Sequence, residues 1–173
     1  MSEFSESFHL KTDSQQSGEN LLRRACLTGA VFSPVRGWVT VVPESELEEA
    51  VDQMVTSNQG ILLHYLYAED NGWLFELYKN NSIICQYECA WESELAINDS
   101  DLNQAAFVSL LIEKSREKVL EDILYPPDLN AVIMDPPAYR FANLLGLEHY
   151  EWLSGGSLDG IEERDPKVIV VSI

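Results

Sequence analysis

Three apolar runs separated by two turn sequences, within residues 61–91, constrain the fold of this chain more than any other feature. The segment reads ILLHYLYAEDNGWLFELYKNNSIICQYECAW. Asn71-Gly72 lies between two of these runs, and a type I′ hairpin needs positive φ at both central residues, which Gly and Asn tolerate best. Asn80-Asn81 is a second, weaker turn sequence of the same kind. The segment therefore predicts three antiparallel strands in a meander.

Two-residue turns would fix the register of this meander. Tyr67 would then face Glu76, and Glu76 would face Cys85. Because strand side chains alternate between faces, one face would carry tyrosines around a single carboxylate. The candidate ligand-binding residues on this Tyr-rich face are Tyr65, Tyr67, Glu76, Tyr78 and Tyr87. The alternatives are a hydrogen-bonded polar cluster under helices, a pocket or partner groove, and general acid catalysis by Glu76.

The segments before the meander predict the start of the fold. Short strands are predicted at residues 7–12, 30–34 and 37–42, and helices between residues 13 and 29 and between residues 45 and 60. With the first meander strand, the order becomes β-α-β-β-α-β. This is the split βαβ order of ferredoxin-like folds.

The residues after the meander predict helical cover. A helix is predicted from Asp99 or Asp101 to about residue 122, a loop or short strand at residues 131–134, a helix at 139–145, a mobile linker at 154–165 and a strand at 167–173. Neither meander face is polar enough for water, so we expect these helices to cover the Tyr-rich face.

The predicted fold is a single α+β domain over residues 1–173 with a mainly antiparallel sheet. Residues 1–91 form the sheet, with a ferredoxin-like βαββαβ start that the β-meander extends. Residues 92–173 supply C-terminal helices packed on the sheet and a last strand.

The charge of the chain disfavours two classes of partner. The sequence has 29 acidic and 11 basic residues, a formal net charge of −18. No Lys or Arg occurs between Arg36 and Lys79, where eight carboxylates fall. Such a chain repels the phosphates of nucleic acids and anionic membrane surfaces. The acidity indicates either a role in solubility or a docking face for a basic protein partner.

Cysteine usage and the N-terminal sequence indicate a cytoplasmic protein. The first residues, MSEFSESFHLKTD, lack the features of a signal peptide, and no stretch approaches the ~20 apolar residues of a membrane span. Three cysteines do not form a disulfide framework. Cys85 and Cys89 would lie about 13 Å apart along one strand, too far to bind one metal ion, and are predicted to be small buried hydrophobes.

The histidines do not form a recognisable site in the sequence. His9, His64 and His149 show no HxH or HxxxH pairing. His64 lies in a predicted strand without a carboxylate or cysteine mate, opposite Lys79 in the assumed register, and we expect a structural or surface role. No catalytic residue, metal site or cofactor is predicted, because nothing resembles a nucleophile–base–orienter set.

Four segments resemble an uncharacterised family of small acidic bacterial proteins, a domain of unknown function. They are FHLKTDSQQSGENLLRRACLTGAVF, GWVTVVPE, LHYLYAEDNGWLFELYKNNSIICQYE and FANLLGLEHYEWLSGG. A Gly-Trp strand, an acidic helix and an Asp-x-Gly-Trp hairpin recur in that family in this order. The resemblance implies an intracellular bacterial protein of one domain, and it supplies no activity or catalytic residue.

The function predicted from the sequence is that of a non-enzymatic cytosolic interaction protein. Its acidic surface would dock a basic protein partner, as an inhibitor or immunity-type protein does. The alternative is a small-molecule binding domain that uses the Tyr-rich face around Glu76. Salt should weaken the first kind of binding steeply and the second barely. The oligomeric state is open, because the last strand could pair within the chain or across a homodimer edge.

Overall fold

The computed structural model describes residues 2–45, 47–92, 94–113 and 117–173, and it shows one eight-stranded sheet with helices on both faces. The strands are β1 (Phe4–Lys11), β2 (Gly29–Val31), β3 (Trp38–Pro43), β4 (Ile61–Ala68), β5 (Gly72–Lys79), β6 (Ser82–Trp91), β7 (Leu95–Asn98) and β8 (Ile169–Val171). The helices are α1 (Gln15–Ala25), α2 (Leu47–Ser57), α3 (Gln104–Val108), α4 (Glu117–Leu124), α5 (Leu129–Met134), α6 (Pro137–Leu145) and α7 (Ile161–Arg164), with a 3-10 turn at Gly155–Ser157.

The strands follow the order β7-β6-β5-β4-β1-β3-β2-β8, and each neighbouring pair is antiparallel. The prediction of an α+β fold with a mainly antiparallel sheet and packed helices is confirmed. The first four strands lie in the order β4-β1-β3-β2, with α1 between β1 and β2 and α2 between β3 and β4. This order is compatible with the predicted ferredoxin-like start.

The first face of the sheet is covered by α1 and α2. Leu21 and Leu22 of α1 and Met54 of α2 are fully buried against sheet residues that include Phe8 and Leu62. Gly18 explains how closely α1 approaches the sheet, because a Cβ there would lie 2.7 Å from Cγ1 of Val31. A glycine that weakens an isolated helix therefore allows this helix to pack.

The opposite face is covered by α3, α4, α5 and α6. These helices bury an aromatic cluster, in which the rings of Phe75 and Phe141 stack with centroids 4.3 Å apart. Tyr65 and Tyr87 are fully buried in the same cluster, and Tyr67 is 4% exposed. The hydroxyl group of Tyr87 donates to the carbonyl oxygen of Leu124. The later helices thus cover Tyr65, Tyr67 and Tyr87, as expected, but not Tyr78, which belongs to the cluster under α1 and α2.

The first turn of the meander differs from the prediction. Ala68 pairs with Gly72, so three residues, 69–71, form the turn instead of two. Gly72 lies in the strand: its φ is 148°, and a Cβ there would lie 2.5 Å from the carbonyl oxygen of Cys89. As a result His64, and not Tyr67, pairs with Glu76. The predicted pairing of Tyr67 with Glu76 is wrong.

The second turn has the predicted length. Lys79 pairs with Ser82, and Asn80 takes a φ of 55°. A bulge follows, since Tyr78 pairs with Ile83 but Leu77 pairs with Cys85. Glu76 consequently pairs with Gln86, and its predicted pairing with Cys85 is also wrong.

The part of the chain after the meander differs in detail. The helix predicted to end near residue 122 is interrupted, because residues 109–113 are not helical between α3 and α4, and residues 114–116 lie outside the described part. Strand β7 was not predicted. Residues 131–134 belong to α5, because Asp128 caps that helix by accepting from the amide of Ala131 at 2.9 Å.

The chain end forms a strand within the same molecule. Only Ile169–Val171 of the strand predicted at 167–173 is extended in the sheet, where β8 pairs with β2. The predicted linker at 154–165 contains the 3-10 turn and α7. Among the described residues, no helix has the length and apolar character needed to cross a membrane.

Candidate functional site

One part of the sheet lies beyond the reach of α1 and α2. These helices pack as far as Leu62 and Tyr78, whereas Leu66 and Leu74 belong to none of the buried apolar clusters of the described residues. A shallow depression passes over Leu66, Leu74 and Glu88. We call this surface the open face, made of Glu6, Leu66, Leu74, Glu76, Gln86 and Glu88.

The open face contains a row of four side chains on adjacent strands. Glu6 pairs with Leu66, Leu66 with Leu74, and Leu74 with Glu88. Directly opposite residues of neighbouring strands hold their Cβ atoms about 4.5–5.5 Å apart, so the row is continuous. Both leucines are half-buried, and Glu88 is exposed. The row therefore presents an apolar centre between two carboxylates.

A buried histidine borders this row. Nε2 of His64 lies 2.9 Å from Oε1 of Glu6, and Nδ1 lies 3.1 Å from Oε2 of Glu76. The hydroxyl group of Tyr78 donates to the same oxygen of Glu76 at 2.8 Å. The ring of Phe8 stacks on the imidazole with centroids 4.7 Å apart. One histidine thus connects carboxylates from β1 and β5.

The charges of this cluster stabilise one another. Burial lowers the pKa of His64, but hydrogen bonds and charges from Glu6 and Glu76 outweigh burial, and the pKa lies above its usual value. The hydrogen bond from His64 is the main cause that holds the pKa of Glu76 below its usual value, against the effect of burial. Burial and the hydrogen bond to Glu76 raise the pKa of Tyr78. The two neighbouring acidic side chains therefore favour the imidazolium form of His64 over the neutral ring.

Sequence reasoning missed this cluster. Glu6 is 58 residues from His64, and Glu76 is 12 residues away in the next strand. A three-residue first turn would have placed Glu76 opposite His64, so the length of that turn was the missing signal.

The five candidate residues of the predicted Tyr-rich face do not lie together. Glu76 and Tyr78 are adjacent on the side of the open face. Tyr65, Tyr67 and Tyr87 point to the opposite side of the sheet, where they belong to the core under α3–α6. The observed register explains this separation. His64 instead of Tyr67 lies opposite Glu76, and Gln86 instead of Cys85 lies opposite it on the other side. Each of these shifts is an odd number of residues, and an odd shift moves a side chain to the other face. We therefore do not propose a ligand site on these tyrosines.

A second polar group lies inside the covered side of the sheet. The imidazole of His9 contacts Ser7 Oγ through Nε2 at 2.9 Å and Thr40 Oγ1 through Nδ1 at 3.1 Å. Burial, followed by the charges of His149 and His64, lowers the pKa of His9 to about 3, so the ring is neutral. Because Ser7 and His9 are fully buried, this pair satisfies polar groups in the core and cannot reach a substrate.

Exposed carboxylates gather at one end of the meander. The indole Nε1 of Trp91 donates to the carbonyl oxygen of Glu69 at 3.0 Å, and its amide donates to that of Asn71 at 2.8 Å. These bonds join the turn between β4 and β5 to Trp91, the last residue of β6. We call this end the acidic rim, made of Glu69, Asp70, Glu92 and Glu94, all exposed. Lys79 lies at the other end of β5.

The open face and the acidic rim together combine half-buried leucines with carboxylates. The resemblance to a family of small bacterial proteins stays an expectation. In comparisons with known proteins, no family model, no curated protein and no solved structure matches this chain.

Proposed function

We propose that this chain is a non-enzymatic interaction protein that docks a basic protein partner on its open face and acidic rim. The observation that carries the proposal is the row from Glu6 through Leu66 and Leu74 to Glu88, on a sheet face outside the buried clusters. Interfaces commonly have an apolar centre within a polar rim. This row has that arrangement on a scale of four strands.

Charge supports the choice of a basic partner. The net charge of −18 favours fast, salt-dependent association with a positively charged protein. Neither the open face nor the acidic rim contains a Lys or Arg. The same charge disfavours a second copy of the chain on this surface, because two such surfaces would repel each other.

The His64 cluster supports the geometry of binding. His64 binds Oε1 of Glu6 and Oε2 of Glu76, so each carboxylate is fixed through one oxygen. The second oxygen of each carboxylate is then held in one orientation for a donor from the partner. A fixed acceptor loses less side-chain entropy on binding than a freely rotating one.

The test is a pair of variants with the same change in net charge. The site variant carries Asp70→Asn, Glu88→Gln, Glu92→Gln and Glu94→Gln, and the control variant carries Glu121→Gln, Asp122→Asn, Asp159→Asn and Glu162→Gln, all at exposed positions. The probe is a fluorescent arginine-rich amphipathic peptide, and fluorescence anisotropy measures its Kd between low and high salt.

The proposal predicts that the site variant binds the peptide at least about tenfold more weakly than the wild type, while the control variant stays within about twofold. Added salt should weaken wild-type binding steeply. Equal losses in both variants would show that only the total charge of the protein matters, and would refute the proposed docking surface. An absence of wild-type binding at low salt would refute it as well.

A further inference from the structure

Trp152 differs from the other tryptophans in exposure and in backbone conformation. Its side chain is 52% exposed, whereas Trp38, Trp73 and Trp91 are at most 5% exposed. Its φ is 51°, in the left-handed region. A bulky residue rarely takes this conformation, and Gly or Asn would take it with less strain. The fold alone would therefore favour a different residue at this position.

The contacts that fix the bend at Trp152 use the backbone atoms of residues 152 and 153 and not the indole ring. Its amide donates to Oε1 of Glu3 at 2.9 Å, and the carbonyl oxygen of Leu153 accepts from the amide of Glu6 at 2.7 Å. The buried side chains of Tyr150 and Leu153 lie on either side of the bend. A glycine could make the same backbone contacts. These contacts account for the bend but not for the indole ring.

Glu3 supports this bend from inside the molecule. Its carboxylate, which is 5% exposed as a residue, also accepts from Oγ of Ser5 at 2.6 Å and from the hydroxyl group of Tyr139. The amide of Glu3 donates to Oε2 of Glu69 at 2.8 Å. This bond connects the segment of Trp152 with the acidic rim. Hydrogen bonds from β1 and α6 to Glu3 thus support the backbone at Trp152, and Glu3 links it to Glu69.

The segment that contains Trp152 is acidic in sequence. Glu148 and Glu151 are exposed in the same segment, and residues 141–163 contain no Lys or Arg. Burial comes first among the causes that raise the pKa of Tyr139, followed by the hydrogen bond and charge of Glu3 and the charge of Glu151. The charges of Glu3 and Glu151 therefore act on Tyr139, which donates to the same carboxylate that binds the amide of Trp152.

We infer that Trp152 is an anchor for a cationic side chain, lysine or arginine, of the basic partner. A cation over an indole face is attracted by the ring quadrupole, and Trp is among the residues that contribute most to protein interfaces. Nearby carboxylates add attraction to the same charge. The inference rests on the proposed function, since it names a second contact for the same kind of partner.

Collisional quenching of tryptophan fluorescence tests the site without a partner. Caesium and iodide ions are used as probes on the wild type and on Trp152→Phe, at equal ionic strength. The quenched component that is lost in Trp152→Phe should be more accessible to caesium than to iodide, because carboxylates attract the cation and repel the anion. A component quenched more strongly by iodide would overturn the inference.

Peptide binding tests the anchor itself. Trp152→Gly should raise the Tm, because glycine adopts the left-handed bend without strain, and should weaken binding of the arginine-rich peptide by roughly three- to fivefold. Trp152→Phe should keep part of the affinity. Met134→Ala is the control, since Met134 is an exposed apolar residue at another position, and it should leave binding unchanged.

The outcomes separate this inference from the proposed function. If the site variant loses binding and Trp152→Gly does not, the anchor is refuted and the docking surface remains. A fall in the Tm of Trp152→Gly would show that the indole packs on its own fold, and would also overturn the anchor. If the wild type does not bind the peptide, both ideas fail.

Discussion

The two faces of the meander are formed by alternate residues of the same strands, yet they have different environments. Phe75 is fully buried under α3–α6, whereas the neighbouring Leu74 is half-buried on the open face. Tyr65 is fully buried, while the adjacent His64 joins two carboxylates at the border of the open face. The sequence of these strands is apolar on both sides, so the position of the later helices decides which side becomes core.

The same contrast governs two histidines on adjacent strands. His9 lies on the covered side among hydroxyl groups, and its pKa falls to about 3, mainly through burial. His64 is also buried, but Glu6 and Glu76 raise its pKa. Burial alone therefore does not decide the charge of a histidine in this sheet. The presence of an acidic partner does.

Removing an aromatic ring from the covered face should have the largest effect. Phe75→Ala should lower the free energy of unfolding by about 3–5 kcal/mol, because the ring stacks on Phe141 and also contacts Phe107. The matched variant Leu74→Ala, one residue away on the open face, should cost about 1 kcal/mol. Urea denaturation measures both values. Similar costs would show that the open face is packed like the core.

Removing the cation between Glu6 and Glu76 should have the next largest effect. His64→Gln should lower the free energy of unfolding at pH 6 by about 3 kcal/mol, because two largely buried carboxylates lose their shared partner. Urea denaturation again gives the value, and Gln86→Ala in the neighbouring strand is the control. A cost below that of the control would contradict a charged cluster.

The pH dependence of that cost has a definite sign. The pKa of His64 is raised on folding, so its stabilisation is complete below about pH 6.5 and is lost as the pH rises through the folded value. The pKa of Glu76 is lowered, so its stabilisation is present above about pH 4.3 and is lost as the pH falls through the folded value. The difference between the wild type and His64→Gln should therefore shrink above pH 6.5.

His9 should give a smaller effect at moderately acidic pH, with the opposite dependence. Its folded pKa of about 3 lies below the unfolded value, so only the unfolded state binds a proton between these two values. The wild type should therefore lose about 2 kcal/mol relative to His9→Gln between pH 7 and pH 5. Urea denaturation at both pH values gives the comparison, and parallel losses in the two proteins would contradict a neutral His9.

The sequence predicts where the chain turns better than how many residues each turn contains. Asn80 and Asn81 form a two-residue turn as predicted, although Asn80 has a positive φ and Asn81 does not, so the turn is not of type I′. The same reasoning failed at Gly72, whose conformation serves close approach to β6 within the strand. Local residue preferences indicate a reversal of direction, but contacts with a third strand decide its length.

The candidate site shows the same limit. The acidity and the apolar meander are readable from the sequence, and they led to the expectation of a docking surface for a basic partner. The ion cluster is not readable, because Glu6, His64 and Glu76 meet only once β1, β4 and β5 are aligned. Likewise α5 depends on the cap supplied by Asp128, a local signal that lies between two pairs of prolines, which favour a loop.

The bulge between β5 and β6 has a consequence for how this protein can change during evolution. Ile84 is the extra residue, since Leu77 pairs with Cys85 while Tyr78 pairs with Ile83. Deleting it would restore a regular ladder and reverse the orientation of the strand that follows, so that Gln86 and Glu88 would enter the aromatic interior and Tyr87 would leave it. We therefore expect selection to eliminate single-residue insertions or deletions in the part of β6 that follows Ile84. An insertion combined with a deletion in the same strand would preserve which side chains face solvent.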